Sequence, residues 1–200
     1  NAAWMDAGYF QLAQIASKRQ DWEEALDLID RSLIRNWHNH KARQLKVVLL
    51  RKLNRSEEAR ELQIESMKLD PLKGKNLPEL ALDYYWAGLY SEAIQLLDQL
   101  IKTENKPSPL HYYYKGWMLE KLNLREAAIA TFKQAENCSP DYCFPNQLES
   151  VIALECAMKL NPNGSKAPYY LGNFWYHSRQ YHHALSCWER SAKMDQEYPT

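Results

Sequence analysis

Five alanines stand at a near-constant interval along this 200-residue chain: Ala25, Ala59, Ala93, Ala128 and Ala184, separated by 34, 34, 35 and 56 residues. The first three close similar short runs, Asp21-Trp22-Glu23-Glu24-Ala25, Arg55-Ser56-Glu57-Glu58-Ala59 and Leu89-Tyr90-Ser91-Glu92-Ala93. An interval of this length matches one helix-turn-helix unit, which cannot bury its apolar face alone and must stack on copies of itself. The pattern predicts an all-α fold, an α-solenoid of about 11 helices with residues 1–200 forming a single array, and the family resemblance given below implies that it is a right-handed superhelix. It also makes a binding scaffold the leading function class.

The first unit, 6–39, carries Tyr9, Leu12, Ala13 and Ala16 at the spacing of one helix face, then Ala25, Leu26, Ile29 and Leu33 after a polar break. The small Ala25 lets two antiparallel helices approach closely. The same layout is expected at 40–73, where Ala59, Leu62, Ile64 and Met67 supply the second helix and Pro71 ends it. Further copies are expected at 74–107, 109–142 and 165–198. The 56-residue step leaves room for one extra helix at 148–160, within an irregular stretch at 143–162. The run Tyr142-Cys143-Phe144-Pro145-Asn146 before it is too short and proline-broken to be its partner, and is expected to cover it as an aromatic plug.

Composition narrows the partners. With 46% hydrophobic residues and 25 basic against 25 acidic side chains, the chain can build a core but lacks the field suited to nucleic acid. Six glycines provide no phosphate cradle, and no apolar run is long enough for a membrane span. The opening Asn1-Ala2-Ala3-Trp4 shows neither an initiator methionine nor a signal, so the sequence reads as a piece of a longer protein. Cys138, Cys143, Cys156 and Cys187 are expected as free thiols, which favours the cytoplasm. A zinc site built from Cys138, Cys143 and Cys187 with His182 and His183 is the weaker alternative. No catalytic residues, metal or cofactor are expected: His38-Asn39-His40 falls in a turn, and Glu23-Glu24 and Glu57-Glu58 are first-turn acids favoured by the helix dipole.

The residues resemble the tetratricopeptide repeat. Leu171-Gly172 and Gly116 lie in first helices, aromatics open second helices at Trp22, Tyr90 and Tyr181, and a large apolar residue follows the alanine by four at Ile29, Leu97, Phe132 and Trp188. Prolines close units at Pro71 and Pro140, while the second unit departs from the pattern with Lys46-Val47 in place of leucine-glycine. The segments 140–146 and 167–173 look more narrowly like the repeat region of large bacterial proteins that carry a mutarotase-like domain of unknown function.

The resemblance implies that the first helix of each unit lines a concave groove. Its expected lining comprises Phe10, Gln14 and Lys18; Gln44, Val48, Arg51 and Lys52; Leu82, Tyr85 and Trp86; Tyr113, Trp117 and Lys121; and Tyr169, Asn173, Tyr176 and His177. Asn173 matches the asparagine of a carboxylate clamp, but Tyr169 stands where the clamp's lysine should be, which disfavours that ligand. The aromatic and basic lining suits a protein or peptide, including another domain of the same chain. A carbohydrate stacked on the aromatics, on a structural arm or subsite of a carbohydrate-active protein, is the alternative. Uncapped ends around Leu185, Trp188 and Ala192 would permit self-association.

Overall fold

A computed structural model describes residues 2–69, 77–141 and 143–195, with side chains from residue 5 and excluding that of residue 69. The expected closing Pro71, the unit limits at 73, 74, 142 and 198, and Tyr142 of the plug lie outside the described residues. Among the described residues there are 11 helices and no strand, the expected all-α class, and successive helices pack as antiparallel pairs such as α1 with α2, α7 with α8 and α10 with α11. They are α1 (Ala2–Lys18), α2 (Trp22–Arg35), α3 (His40–Lys52), α4 (Ser56–Leu69), α5 (Leu77–Trp86), α6 (Tyr90–Thr103), α7 (Pro109–Lys121), α8 (Arg125–Glu136), α9 (Leu148–Leu160), α10 (Lys166–His177) and α11 (Tyr181–Met194). The chain divides into two compact units, residues 1–93 and 94–200.

One turn geometry recurs at the interval of the alanines. Gln20, Asn54, Gly88, Asn123 and Arg179 each stand five residues before a repeat alanine, and all adopt φ between 60° and 75°. Each donates its N–H to a carbonyl three residues back, and the next residue donates to one five back. Gln20 bonds Ser17 at 2.9 Å and Asp21 bonds Ala16 at 3.0 Å; Arg179 bonds Tyr176 at 3.0 Å and Gln180 bonds Trp175 at 2.8 Å. This pair of bonds closes a helix through a left-handed residue and satisfies its terminal carbonyls. The residue after it accepts the first bond of the next helix, as Asp21 does from Ala25 at 2.9 Å and Gln180 from Ala184 at 3.0 Å.

The crossings beyond these turns depend on side-chain size. All five repeat alanines are fully buried. Twelve residues before Ala128 lies Gly116, where a Cβ would come within 2.3 Å of the Phe132 ring; twelve before Ala184 lies Gly172, where it would come within 2.4 Å of Trp188. Real Cβ atoms do not tolerate such distances, so glycine is the residue that lets the aromatic sit across the crossing. In the first hairpin the matching residues are Ala13 and Ile29, both fully buried: where the small residue gains a methyl, the large one loses its ring.

Neighbouring hairpins are joined in register too. Lys46 of α3 pairs with Asp30 of α2 at 2.6 Å, and Lys115 of α7 pairs with Asp98 of α6 at 2.6 Å, the two lysines holding matching places in their repeats. The buried Ser32 hydroxyl donates to the Asp6 carbonyl at 3.3 Å and is also hydrogen-bonded to the Asp6 carboxylate; at the matching place in the last hairpin, Ser191 donates to the Ser165 carbonyl at 2.7 Å. The unpaired helix occupies its expected span as α9, packed against both α7 and α10, with the Tyr114 and Ser150 hydroxyls 2.7 Å apart.

Two expectations need correction. Ile64 and Met67 are exposed, because the buried face of α4 runs through Ala59, Leu62 and Ser66 and leaves both on its flanks. The aromatic plug also fails at Phe144, which faces solvent; Cys143 and Pro145 turn inward instead, so a thiol and a proline ring cover this part of the core.

Left-handed backbone costs a residue with a Cβ about 1–2 kcal/mol, part of which glycine gives back through its freer unfolded chain. Gln20→Gly and Arg179→Gly should therefore each raise stability by about 0.5–1 kcal/mol in urea unfolding. Asn123→Gly should gain less, because asparagine tolerates this conformation.

Candidate interaction surface

In the first compact unit the expected groove lining is largely used by the chain itself. α1 packs against α5: the Gln14 amide donates to the Asp83 carbonyl at 3.1 Å, and the Ser17 hydroxyl to that of Ala87 at 2.9 Å. Tyr85, expected to face the groove, is buried between Trp86 at 5.2 Å and Tyr90 at 5.3 Å between ring centroids. Val48 and Leu82 are buried as well, and Phe10 and Gln44 half-buried. Trp86 remains exposed, with the Lys18 ammonium 5.9 Å from its ring centroid. Arg51 and Lys52 are exposed, Arg51 donating to the Gln63 side chain. Lys52 pairs with Glu92 at 2.6 Å and lies 5.9 Å from the Trp22 ring.

In the second unit two further lining residues are core. Tyr113 and Trp117 are buried, a correction that follows from the packing of α9 on α7 and of the Tyr170 ring on Tyr113. The Tyr113 ring stacks on Phe132 at 6.2 Å and meets Tyr170 edge-on at 6.0 Å. Its hydroxyl donates to Glu136 at 3.1 Å, and the other oxygen of that carboxylate accepts the N–H groups of Ser165 and Lys166, each at 3.1 Å. Glu136 thus places negative charge at the start of α10, where the helix dipole favours it, and ties three helices together. Burial, reinforced by this carboxylate, drives the Tyr113 phenol well above its ordinary pKa. Lys121 is exposed at the end of α7.

The remaining four residues share α10. Tyr169 and Asn173 are half-buried, His177 is exposed, and Tyr176 retains 56% of its surface. Asn173 accepts a bond from the Trp188 indole N–H at 3.1 Å, which fixes that ring against Tyr176 at 5.5 Å; Tyr181 lies 5.5 Å from Tyr176 as well. The sequence reading missed Tyr181 and Trp188 as members of this face. The signal was present, since both lie on the helix that folds back on α10.

The second unit also holds a cleft of about 900 Å³ lined by Glu104, His111, Tyr112, Gln134, Cys138 and Asp141 among others. His111 Nδ1 lies 3.3 Å from the Glu104 carboxylate, and Lys166 donates to the Cys138 carbonyl at 2.7 Å. Burial raises the Cys138 thiol despite the opposing charge of Lys166, so it is not an activated nucleophile. Among the described residues no group of three or more His, Cys, Asp or Glu side chains could hold a metal ion, and no helix is long and apolar enough to cross a membrane. In the His38-Asn39-His40 triplet, Asn39 caps α3 by accepting from the Ala42 N–H at 3.1 Å, a structural role.

Residues 79–142 match the model of the tetratricopeptide repeat. The matched span runs from α5 through α8 and includes the Gly116–Phe132 crossing. Solved structures similar to the chain include MamA from Desulfovibrio magneticus RS-1, with 15% identity, 98% of each chain covered and a TM-score of 0.35. Another is YrrB, described as a TPR protein with an unusual peptide-binding site, with 14% identity, 95% of this chain and 86% of that chain covered, and a TM-score of 0.34. No curated protein matches the chain. The family match lends no support to a mutarotase-like neighbouring domain.

Cys138, Cys143, Cys156 and Cys187 are free thiols. Burial pushes Cys143 up to about 12 and Cys156 up to about 11. Because the folded state holds these protons more tightly than the unfolded chain, the associated stability is fully present below pH 9 and is lost as pH rises through 11 to 12. Urea-unfolding stability should therefore decline across that window, and less steeply in Cys143→Ala. At neutral pH, iodoacetamide should label Cys143 only on unfolding.

Proposed function

We propose that this chain is a non-enzymatic interaction scaffold that holds a peptide or protein segment, from another protein or another domain of its own chain, along the open face of α10. The observation that supports it is the contrast between two equivalent helices. Tyr113 and Tyr169 share one place in the repeat; Tyr113 is fully buried, whereas Tyr169 lies partly open on the helix that also carries the exposed Tyr176 and His177. Charge adds a direction. From Lys166 through Trp188 the chain has no Asp or Glu but carries Lys166, Arg179, His177, His182 and His183. A segment with an apolar anchor for the aromatic face and carboxylates beside it suits this surface. The exposed Arg51, Lys52, Trp86 and Lys121 and the half-buried Phe10 stay candidates for separate contacts.

Peptides selected from a displayed library on the purified chain should lose about tenfold or more in affinity for Tyr176→Ala or His177→Ala, the loss of a contact at the centre of a binding face. Met67→Ala, at an exposed site on α4, should leave them unchanged. Selected peptides that bind all three variants equally would remove α10 as the binding face. Carbohydrate contact is the second reading, favoured by the half-exposed rings of Tyr176 and Tyr181. A glycan bound by the natural chain and not by Tyr176→Ala would carry it.

A further inference from the structure

We propose that the start of α3 binds a small anion, chloride or a free carboxylate in size, held by Arg43, Ser66 and His40. The basis is register. In the first hairpin Asp6, nineteen residues before the repeat alanine, meets Ser32, seven residues after it. The Ser32 hydroxyl bonds both the carbonyl and the carboxylate of Asp6, and that carboxylate also accepts from the Asn36 amide at 2.9 Å and the Asn39 amide at 3.3 Å. In the last hairpin the same two places are Ser165 and Ser191, again hydrogen-bonded. In the second hairpin they are His40 and Ser66, so α3 carries an imidazole where α1 carries a carboxylate. Ser66 is fully buried, and among the described residues nothing bonds its hydroxyl or the buried Nδ1 of His40.

Arg43 follows His40 by three residues, on the same face of α3, and is only 1% exposed. Its Nε and Nη1 have no partner among the described residues. The Trp37 ring, 6.0 Å from the guanidinium carbon, offsets part of the charge but lies too far away to accept an N–H bond. A buried guanidinium without a counter-charge is strongly destabilising. The helix start compounds this, since its backbone dipoles favour acids there, yet α3 opens with His40, Lys41 and Arg43 and has no acid in its first turn. Lys41 is paired with Asp83 at 2.8 Å, whereas Arg43 has no carboxylate partner among the described residues. Water satisfies hydroxyl and N–H donors, but only an anion also answers the charge. The Asp6 carboxylate, ringed by one hydroxyl and two amides, shows the chemistry this place in the repeat takes.

Urea unfolding of the full chain, with chloride or formate titrated against bulky gluconate at constant ionic strength, tests this. For one site, the unfolding constant should fall about tenfold for each tenfold rise in the anion beyond saturation. His40→Asp gives α3 the carboxylate that α1 carries, and should respond to neither anion. Arg43→Met removes the charge and should also lose the response, while Ser66→Ala should weaken it; native-like circular dichroism shows that each variant folds. Broadening of the chloride magnetic resonance by the natural chain, and not by His40→Asp, gives a reading independent of stability. An equal response in every chain, which marks a general salt effect, or no response in the natural chain would overturn the proposal. So would a response confined to Asp70→Asn, because a carboxylate of this chain would then serve in place of the anion.

Discussion

Two helices can lie close together only where one gives up the volume that the other occupies, and this requirement organises the chain. At Gly116 and Gly172 the first helix surrenders even its Cβ, so that Phe132 and Trp188 can lie across it. At Ala13 the surrender is one methyl smaller, and the partner is Ile29. The left-handed turn five residues before each repeat alanine aims the second helix at this crossing, and its two hydrogen bonds spare the terminal carbonyls the cost of burial. Four of the five left-handed turn residues carry a side chain, so packing and hydrogen bonding outweigh backbone strain at those turns.

Once the hairpins are set, their open faces compete for cover. The first unit covers much of its lining from within, through bonds from Gln14 and Ser17 to the end of α5. The second inserts α9 against α7 and α10 and uses Glu136 as a tie between the Tyr113 hydroxyl and the first N–H groups of α10. Aromatic side chains expected to meet a ligand become core, while Tyr176 on α10 keeps more than half of its surface open.

That distinction also explains what was legible in the sequence. The alanine interval, the glycines and the α9 span were readable because they obey local rules of spacing and size. Burial of Tyr85, Tyr113 and Trp117 was not readable, because a place in the repeat says which way a residue points and not what lies in front of it. Tyr113 and Tyr169 make the point within one chain, having the same register and different surroundings. The plug failed for a related reason: its aromatic content suggested cover, yet Phe144 points outward while Cys143 and Pro145 supply the contact.

The central claim is that paired volume at the crossing holds each hairpin together, and a double-mutant cycle in urea unfolding tests it most directly. Gly116→Ala should cost about 1–3 kcal/mol by overpacking, although alanine is the better helix former by about 1 kcal/mol. Phe132→Ile alone should also destabilise by leaving a void. Together they recreate the alanine–isoleucine crossing of the first hairpin, and the double variant should recover much of what Gly116→Ala loses. A stabilising Gly116→Ala, or losses that simply add, would show that the crossing is not governed by paired volume.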